Sequence, residues 1–153
     1  MMNLQSLEQL ENQLQLDHFT NEDALELGFT IINYAKEQGT SIAVHIERNR
    51  VPLFTHLMEG TSDENYHWLF RKKRVTDHYN RSSAYIAERF AQSGTTHTES
   101  SLLSPAEYQA VGGTFPLRIK NVGVIGSVTV AGLTGQLDHD YAVEGLKRFI
   151  DSN

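Results

Sequence analysis

A chain of 153 residues is long enough for one domain with a sizeable core. Its 39% hydrophobic and 21% charged composition is that of an ordinary soluble protein, and a formal net charge of −6 argues against a general nucleic-acid binder. There is no cysteine, which excludes disulfides and thiolate metal sites and makes a cytoplasmic location the expectation.

The chain opens on MMNLQSLEQLENQLQL, which has neither the basic start nor the unbroken apolar stretch of a signal peptide. No membrane partner is expected, because no run approaches the roughly eighteen apolar residues of a spanning helix. Leu4, Leu7, Leu10 and Leu14 form one stripe of a short helix, an N-terminal helical arm over residues 1–16 of a single domain spanning 1–153. Thr20 or Asn21 caps the next helix. Ala24, Leu25, Leu27, Gly28, Ile31, Ile32 and Ala35 make its wide apolar face, and Gly39 ends it as a left-handed cap.

The period then changes from 3.6 to 2. SIAVHIE and VPLFTHLM read as a hairpin turning at Asn49-Arg50, with Ile46 opposite Leu53 and Val44 opposite Thr55. Pro52 marks an edge. A helix runs from Ser62 or Asp63 to about Asn80, and Ser82 or Ser83 caps another through Phe90. QSGTTHTESSLLS, residues 92–104, reads as a loop, and Pro105 begins a short helical turn before Gly112-Gly113. Thr114–Ile119 and Val122–Val130 form a second hairpin around Lys120-Asn121. Thr134 caps a last helix that faces Ala142, Gly145, Leu146, Phe149 and Ile150 inward. Hairpins flanked by helices predict an α+β fold, an antiparallel sheet with helices packed on it.

Few residues look chemical. The glycines of VGGTFPLRIKNVGVIGSVTVAG match neither GxGxxG nor GxxxxGK[ST], and Gly112-Gly113 precedes a strand instead of opening a helix. They fit a chain reversal, with Gly123 and Gly126 marking close approach of other atoms; the sharper alternative is bare backbone lining a ligand pocket. In WLFRKKRVTDHY, Trp68, Leu69, Val75 and Tyr79 form the inward stripe and Lys72 falls in its middle. Such a lysine either snorkels to water or meets a carboxylate of the protein, a ligand or a second subunit. His67, Arg71, Arg74 and His78 form an adjacent basic face. In the proposed register His45 and His56 are diagonal neighbours on one sheet face and form the candidate metal or haem-iron pair. Asp138 reads first as a helix-start carboxylate, one turn before Ala142. Ser82-Ser83 lack a GxSxG elbow and read as helix caps.

GGTFP, VGVIGSVTVAGL and DHDYAVEGL together resemble the C-terminal half of the haem-degrading-domain family, which includes extracellular haem-binding sensors and small proteins near glycolate operons. Trp68, Arg71-Lys72, Val75 and Ser82-Ser83, with LENQLQLDHFTNEDALELG, resemble an uncharacterised branch of it. Ala131 stands where that family usually has serine, Phe70 and Arg74 replace a common Arg and Asn, and Lys120-Asn121 replaces a turn with Gly. The resemblance implies a profilin-like architecture, a central antiparallel sheet of two hairpins with helices on both faces, assembled as a homodimer or higher ring. It implies haem, a divalent metal or a small anion as the ligand class. A ligand cleft is expected beside the glycine turn, drawing on Lys72, Trp68, Arg71, Ser82, Ser83, Gly112, Gly113, Phe115 and Asp138. Three functions compete: a small-ligand-binding oligomer, an enzyme acting on a small anionic metabolite, and a structural or adaptor oligomer.

Overall fold

A computed structural model describes residues 3–153. Met1 and Met2 of the expected N-terminal arm lie outside the described residues. The elements are α1 (Leu4–Gln13), α2 (Asn21–Gln38), β1 (Ala43–Arg48), β2 (Val51–Leu57), α3 (Asp63–Tyr79), α4 (Ser83–Gln92), α5 (His97–Ser101), β3 (Thr114–Ile119), β4 (Gly123–Ala131) and α6 (Gly135–Asp151). The short helix α5 interrupts the segment expected to be a loop. Thr96 caps it by accepting the Glu99 N–H at 3.2 Å, and five residues are too few for a periodic signal.

The caps follow side-chain chemistry. Thr20 accepts from the Asp23 N–H at 3.1 Å while the Asp23 carboxylate accepts the Thr20 N–H at 2.8 Å, a reciprocal capping box. Gly39 closes α2 at φ 71°, and Thr134 starts α6 by accepting the Leu137 N–H.

Four strands form one antiparallel sheet in the order β2-β1-β4-β3. The two expected hairpins are thus joined by β1–β4 pairing, from Ala43 with Ala131 to Arg48 with Gly126. Alternate residues face opposite sides. Val44, Ile46, Phe115, Leu117, Val128 and Val130 face α2 and α6, where they join Leu27, Ile31, Leu146 and Phe149 in the main core. Ala43 and Ala131 face α3 and meet Leu69. Helices therefore cover both faces, the α+β architecture expected from the sequence.

The first hairpin departs from its expected register. Asn49 and Arg50 do form the turn, both at positive φ (52° and 66°), and Arg48 pairs with Val51. A bulge then leaves Leu53 without a partner, so that Ile46 pairs with Phe54, His45 with Thr55 and Val44 with His56. Pro52, which cannot donate to a ladder, adjoins the extra residue. At the far edge Leu16 pairs beside β3, donating to the Arg118 carbonyl at 2.8 Å and accepting from the Lys120 N–H at 2.9 Å. Among the described residues the β2 edge has no such cover. Helix α1 packs on α4, burying Leu7 and Glu11; the Glu11 carboxylate accepts from Arg81 Nε at 3.2 Å.

Candidate functional site

The long helix α3 lies across the sheet with Leu69, Lys72, Val75 and Thr76 buried beneath it. A lysine among these must have partners, since an ammonium without them is held only at a cost of several kcal/mol, roughly. Lys72 is 3% exposed. Its Nζ donates to Asp138 Oδ2 at 2.6 Å and to the Val130 carbonyl at 3.1 Å. Asp138, on the first turns of α6, uses its other oxygen to accept the Leu133 N–H at 3.0 Å. Burial pushes the Lys72 amine below its ordinary range, partly offset by the Asp138 charge. It likewise pushes the Asp138 carboxyl up, partly offset by Lys72 and the Leu133 N–H. Both shifts narrow the gap between ammonium carboxylate and amine carboxylic acid.

The glycine turn lies directly against this pair. Gly113 has φ 144°, and a Cβ there would stand 2.5 Å from the Val130 carbonyl and 2.7 Å from Lys72 Nζ. A Cβ on Gly112 would collide with the Gly135 carbonyl at the start of α6. On β4 the expected close approach holds for Gly126, where a Cβ would run into the Glu47 carbonyl of β1, and not for Gly123, which has open space and serves its positive φ of 122° at the turn.

A cleft of about 280 Å³ opens above the pair. Trp68, Lys72 and Asp138 line it together with Glu64, Asn65, Val111, Gly135 and the β4–α6 connection Ala131–Leu133. Glu64, Trp68 and Lys72 lie at i, i+4 and i+8, one row of α3. That spacing was available in the sequence, but it does not show that Glu64 and Asn65 form a rim, because nothing local says where the row meets α6.

Of the other expected ligand residues, Arg71 donates to the Ala106 carbonyl at 3.3 Å and its guanidinium lies over Trp68, 5.2 Å from the ring centroid. It ties down the connection 102–113 outside the cleft. Ser82 caps α4 by accepting the Tyr85 N–H at 3.1 Å, and Ser83 accepts the Thr114 N–H at 3.0 Å. Both serines are fully buried behind the turn and neither lines the cleft. Phe115 faces the opposite side of the sheet, in the core with α2 and α6, so the expectation that it touches a ligand here is corrected by strand alternation.

The histidine pair is also corrected. The bulge puts His56 on the face of Val44, opposite to that of His45. His45 is 1% exposed and has both ring nitrogens engaged: Nε2 with Glu47 Oε2 at 2.8 Å and Nδ1 with Thr55 Oγ1 at 2.6 Å. Lys73 donates to the same Glu47 and to Asp77, each at 2.6 Å. Burial pushes the Glu47 carboxyl up, but the hydrogen bonds from His45 and Lys73 outweigh it and hold it below its usual range. An ionised Glu47 only accepts, so His45 Nε2 carries a proton, and the Thr55 hydroxyl takes up its Nδ1. No lone pair is left for a metal. Among the described residues, no three His, Asp or Glu side chains gather as a metal cage.

Residues 19–147 match a family model described as haem degrading protein, HbpS-like. A UPF0303 protein of Streptomyces coelicolor is 42% identical over 144 residues, covering 94% of this chain and 91% of its own length. Among solved structures, the Ybr137w protein superposes with a TM-score of 0.91 at 28% identity, covering 98% of this chain and 89% of its own. HbpS superposes with a TM-score of 0.70 at 24% identity, over 88% and 92% of the two chains.

Proposed function

We propose, from the premise that this chain belongs to the HbpS-like haem-degrading protein family, that it binds a small carboxylate-bearing ligand in the Lys72–Asp138 cleft. The observation that carries this reading is the buried lysine. A structural ion pair needs no opening above it, yet this one floors a cleft walled by an indole and by bare backbone. The volume suits a metabolite and lies at the small end of ligand pockets, which start near roughly 300 Å³. Gly135 brings the start of α6 to the lining, where the positive end of the helix dipole favours an anion even though Thr134 already takes the Leu137 and Asp138 N–H groups. Asp138 neutralises Lys72 and Glu64 adds a negative rim, which disfavours a ligand with more than one negative charge.

The family description brings haem forward as a second reading. The residues present do not offer iron a strong ligand in this cleft: no imidazole, thioether or phenol lines it, and His45 has no free nitrogen. A porphyrin would therefore bind through its carboxylates alone, with only an edge inside. Self-association, as a homodimer or larger ring, is supported by the open β2 edge and by exposed Leu25, Phe29 and Val51. No helix among the described residues is long and apolar enough to cross a membrane.

A thermal-shift series with small carboxylates, haemin and iron-free protoporphyrin tests these readings. Small carboxylates are expected to raise the melting temperature, and haemin to act no better than the iron-free ring. Stabilisation by haemin alone, with a Soret shift lost in His56→Ala, would replace the cleft by an iron site.

A further inference from the structure

Two consecutive lysines of α3 occupy different electrostatic positions. Lys73 is held between two carboxylates, Glu47 and Asp77, each at 2.6 Å. Lys72 has one carboxylate and one neutral carbonyl, at the floor of a cleft. An ammonium is not a nucleophile; the neutral amine is. Passing one proton from Lys72 Nζ to Asp138 Oδ2 over 2.6 Å produces that amine without moving a heavy atom.

We propose that Lys72 is a reactive amine that forms an imine with a small aldehyde or 2-oxo acid entering this cleft, Asp138 carrying the protons. The inference rests on the cleft being a ligand site and names the ligand's reactive group. The lone pair of Lys72 Nζ forms a bond to the carbonyl carbon while Asp138 gives the proton it has taken to the carbonyl oxygen. The resulting carbinolamine loses that oxygen as water when Asp138 relays a second proton from nitrogen. Two of the three ammonium protons thus leave in the water. The C=N bond replaces C=O, and the iminium keeps the positive charge facing the Asp138 carboxylate. No oxidant or reductant takes part.

The surroundings suit such a step. Burial pushes the amine down and the carboxyl up, which favours proton exchange between them. The Leu133 N–H, 3.0 Å from Asp138 Oδ1, fixes the carboxyl so that Oδ2 faces the lysine. Gly113 keeps the space beside Nζ free of a side chain. Trp68 supplies an apolar wall that limits competing water.

The test is reductive trapping on the unmodified protein. Acetaldehyde and pyruvate are added separately with sodium cyanoborohydride, and labelled sites are located by peptide mass mapping. The chain has five lysines, Lys36, Lys72, Lys73, Lys120 and Lys147, so the exposed ones serve as internal controls. The expected result is labelling chiefly on Lys72, in roughly tenfold excess over Lys120, the excess growing as the pH is lowered. Asp138→Asn slows trapping at Lys72 while leaving Lys120 unchanged. Labelling of Lys120 and Lys147 with none on Lys72 overturns the proposal. If small carboxylates still raise the melting temperature in that case, the cleft remains a binding site and only the covalent step is lost; if they do not, the site itself falls with it.

Discussion

The two faces of the sheet are built from the same strands and have opposite chemistry. Towards α2 and α6 the strands present Val44, Ile46, Phe115, Leu117, Val128 and Val130, all essentially inaccessible. Towards α3 the intervening residues are His45, Glu47, Thr114, Ser127 and Thr129, equally buried. The polar side is held by specific pairs: Lys72 with Asp138, Lys73 and His45 with Glu47, and Thr114 Oγ1 with Thr129 Oγ1 at 3.0 Å. An apolar layer is the less costly way to cover a sheet, because buried polar groups contribute little net stability even when paired. This domain keeps one face apolar and the other charged: the first carries the main core, and the cleft opens on the second.

This contrast can be broken at either face. On the apolar side, Phe115→Ala is expected to cost about 3–5 kcal/mol in a denaturant titration. The shift in melting temperature caused by a small carboxylate should survive unchanged in that variant. Its loss would mean that Phe115 reaches the ligand after all and that the two faces are not independent.

A smaller effect sharpens the contrast at the margin of the polar side. His97 of α5 is buried against the rings of Tyr79 and Phe90, with no hydrogen-bond partner on either nitrogen. Burial pushes it below its ordinary value of 6.5, and the nearby His78 and Arg89 charges push the same way. The folded protein therefore resists protonating it. Its contribution is whole above pH 6.5 and is lost as the pH falls through the lower, folded-state value, because the unfolded chain takes up the proton first. Relative to His97→Leu, the natural chain should lose stability as the pH is taken from above 6.5 to below it, measured by urea unfolding at each pH. A constant difference across that range would show that His97 opens to solvent with its helix.

Much of the apolar face was legible in the sequence, because alternation in SIAVHIE and VGVIGSVTVAG and the helical stripe of Ala24 to Ala35 depend only on local periods. Caps at Thr20, Ser82 and Thr134 and the turn at Asn49-Arg50 were legible for the same reason. The β1–β4 pairing was not, since it joins segments some eighty residues apart by backbone bonds that leave no local mark. The bulge at Leu53 was also hidden, and it undid the His45–His56 pair by moving one member across the sheet. Lys72 could be singled out as a misfit in an apolar stripe. Its partner lies 66 residues on, and only the fold shows that Asp138 answers it. The joining of His45 to Glu47 and Lys73 was not legible either, because Glu47 and Lys73 each look like ordinary half-exposed polar side chains and nothing local brings α3 to that strand.

The central claim is that the Lys72–Asp138 pair is kept for a ligand and not for the fold. Removing one member, as in Lys72→Met, strands a buried carboxylate and is expected to cost about 3–5 kcal/mol, so it cannot separate the two roles. The double variant Lys72→Met/Asp138→Leu can. Its unfolding free energy and its melting-temperature shift with pyruvate should be measured beside the natural protein. A stability equal to or above the natural one, with no ligand-induced shift, is expected. A double variant that is several kcal/mol less stable and still stabilised by pyruvate would contradict it.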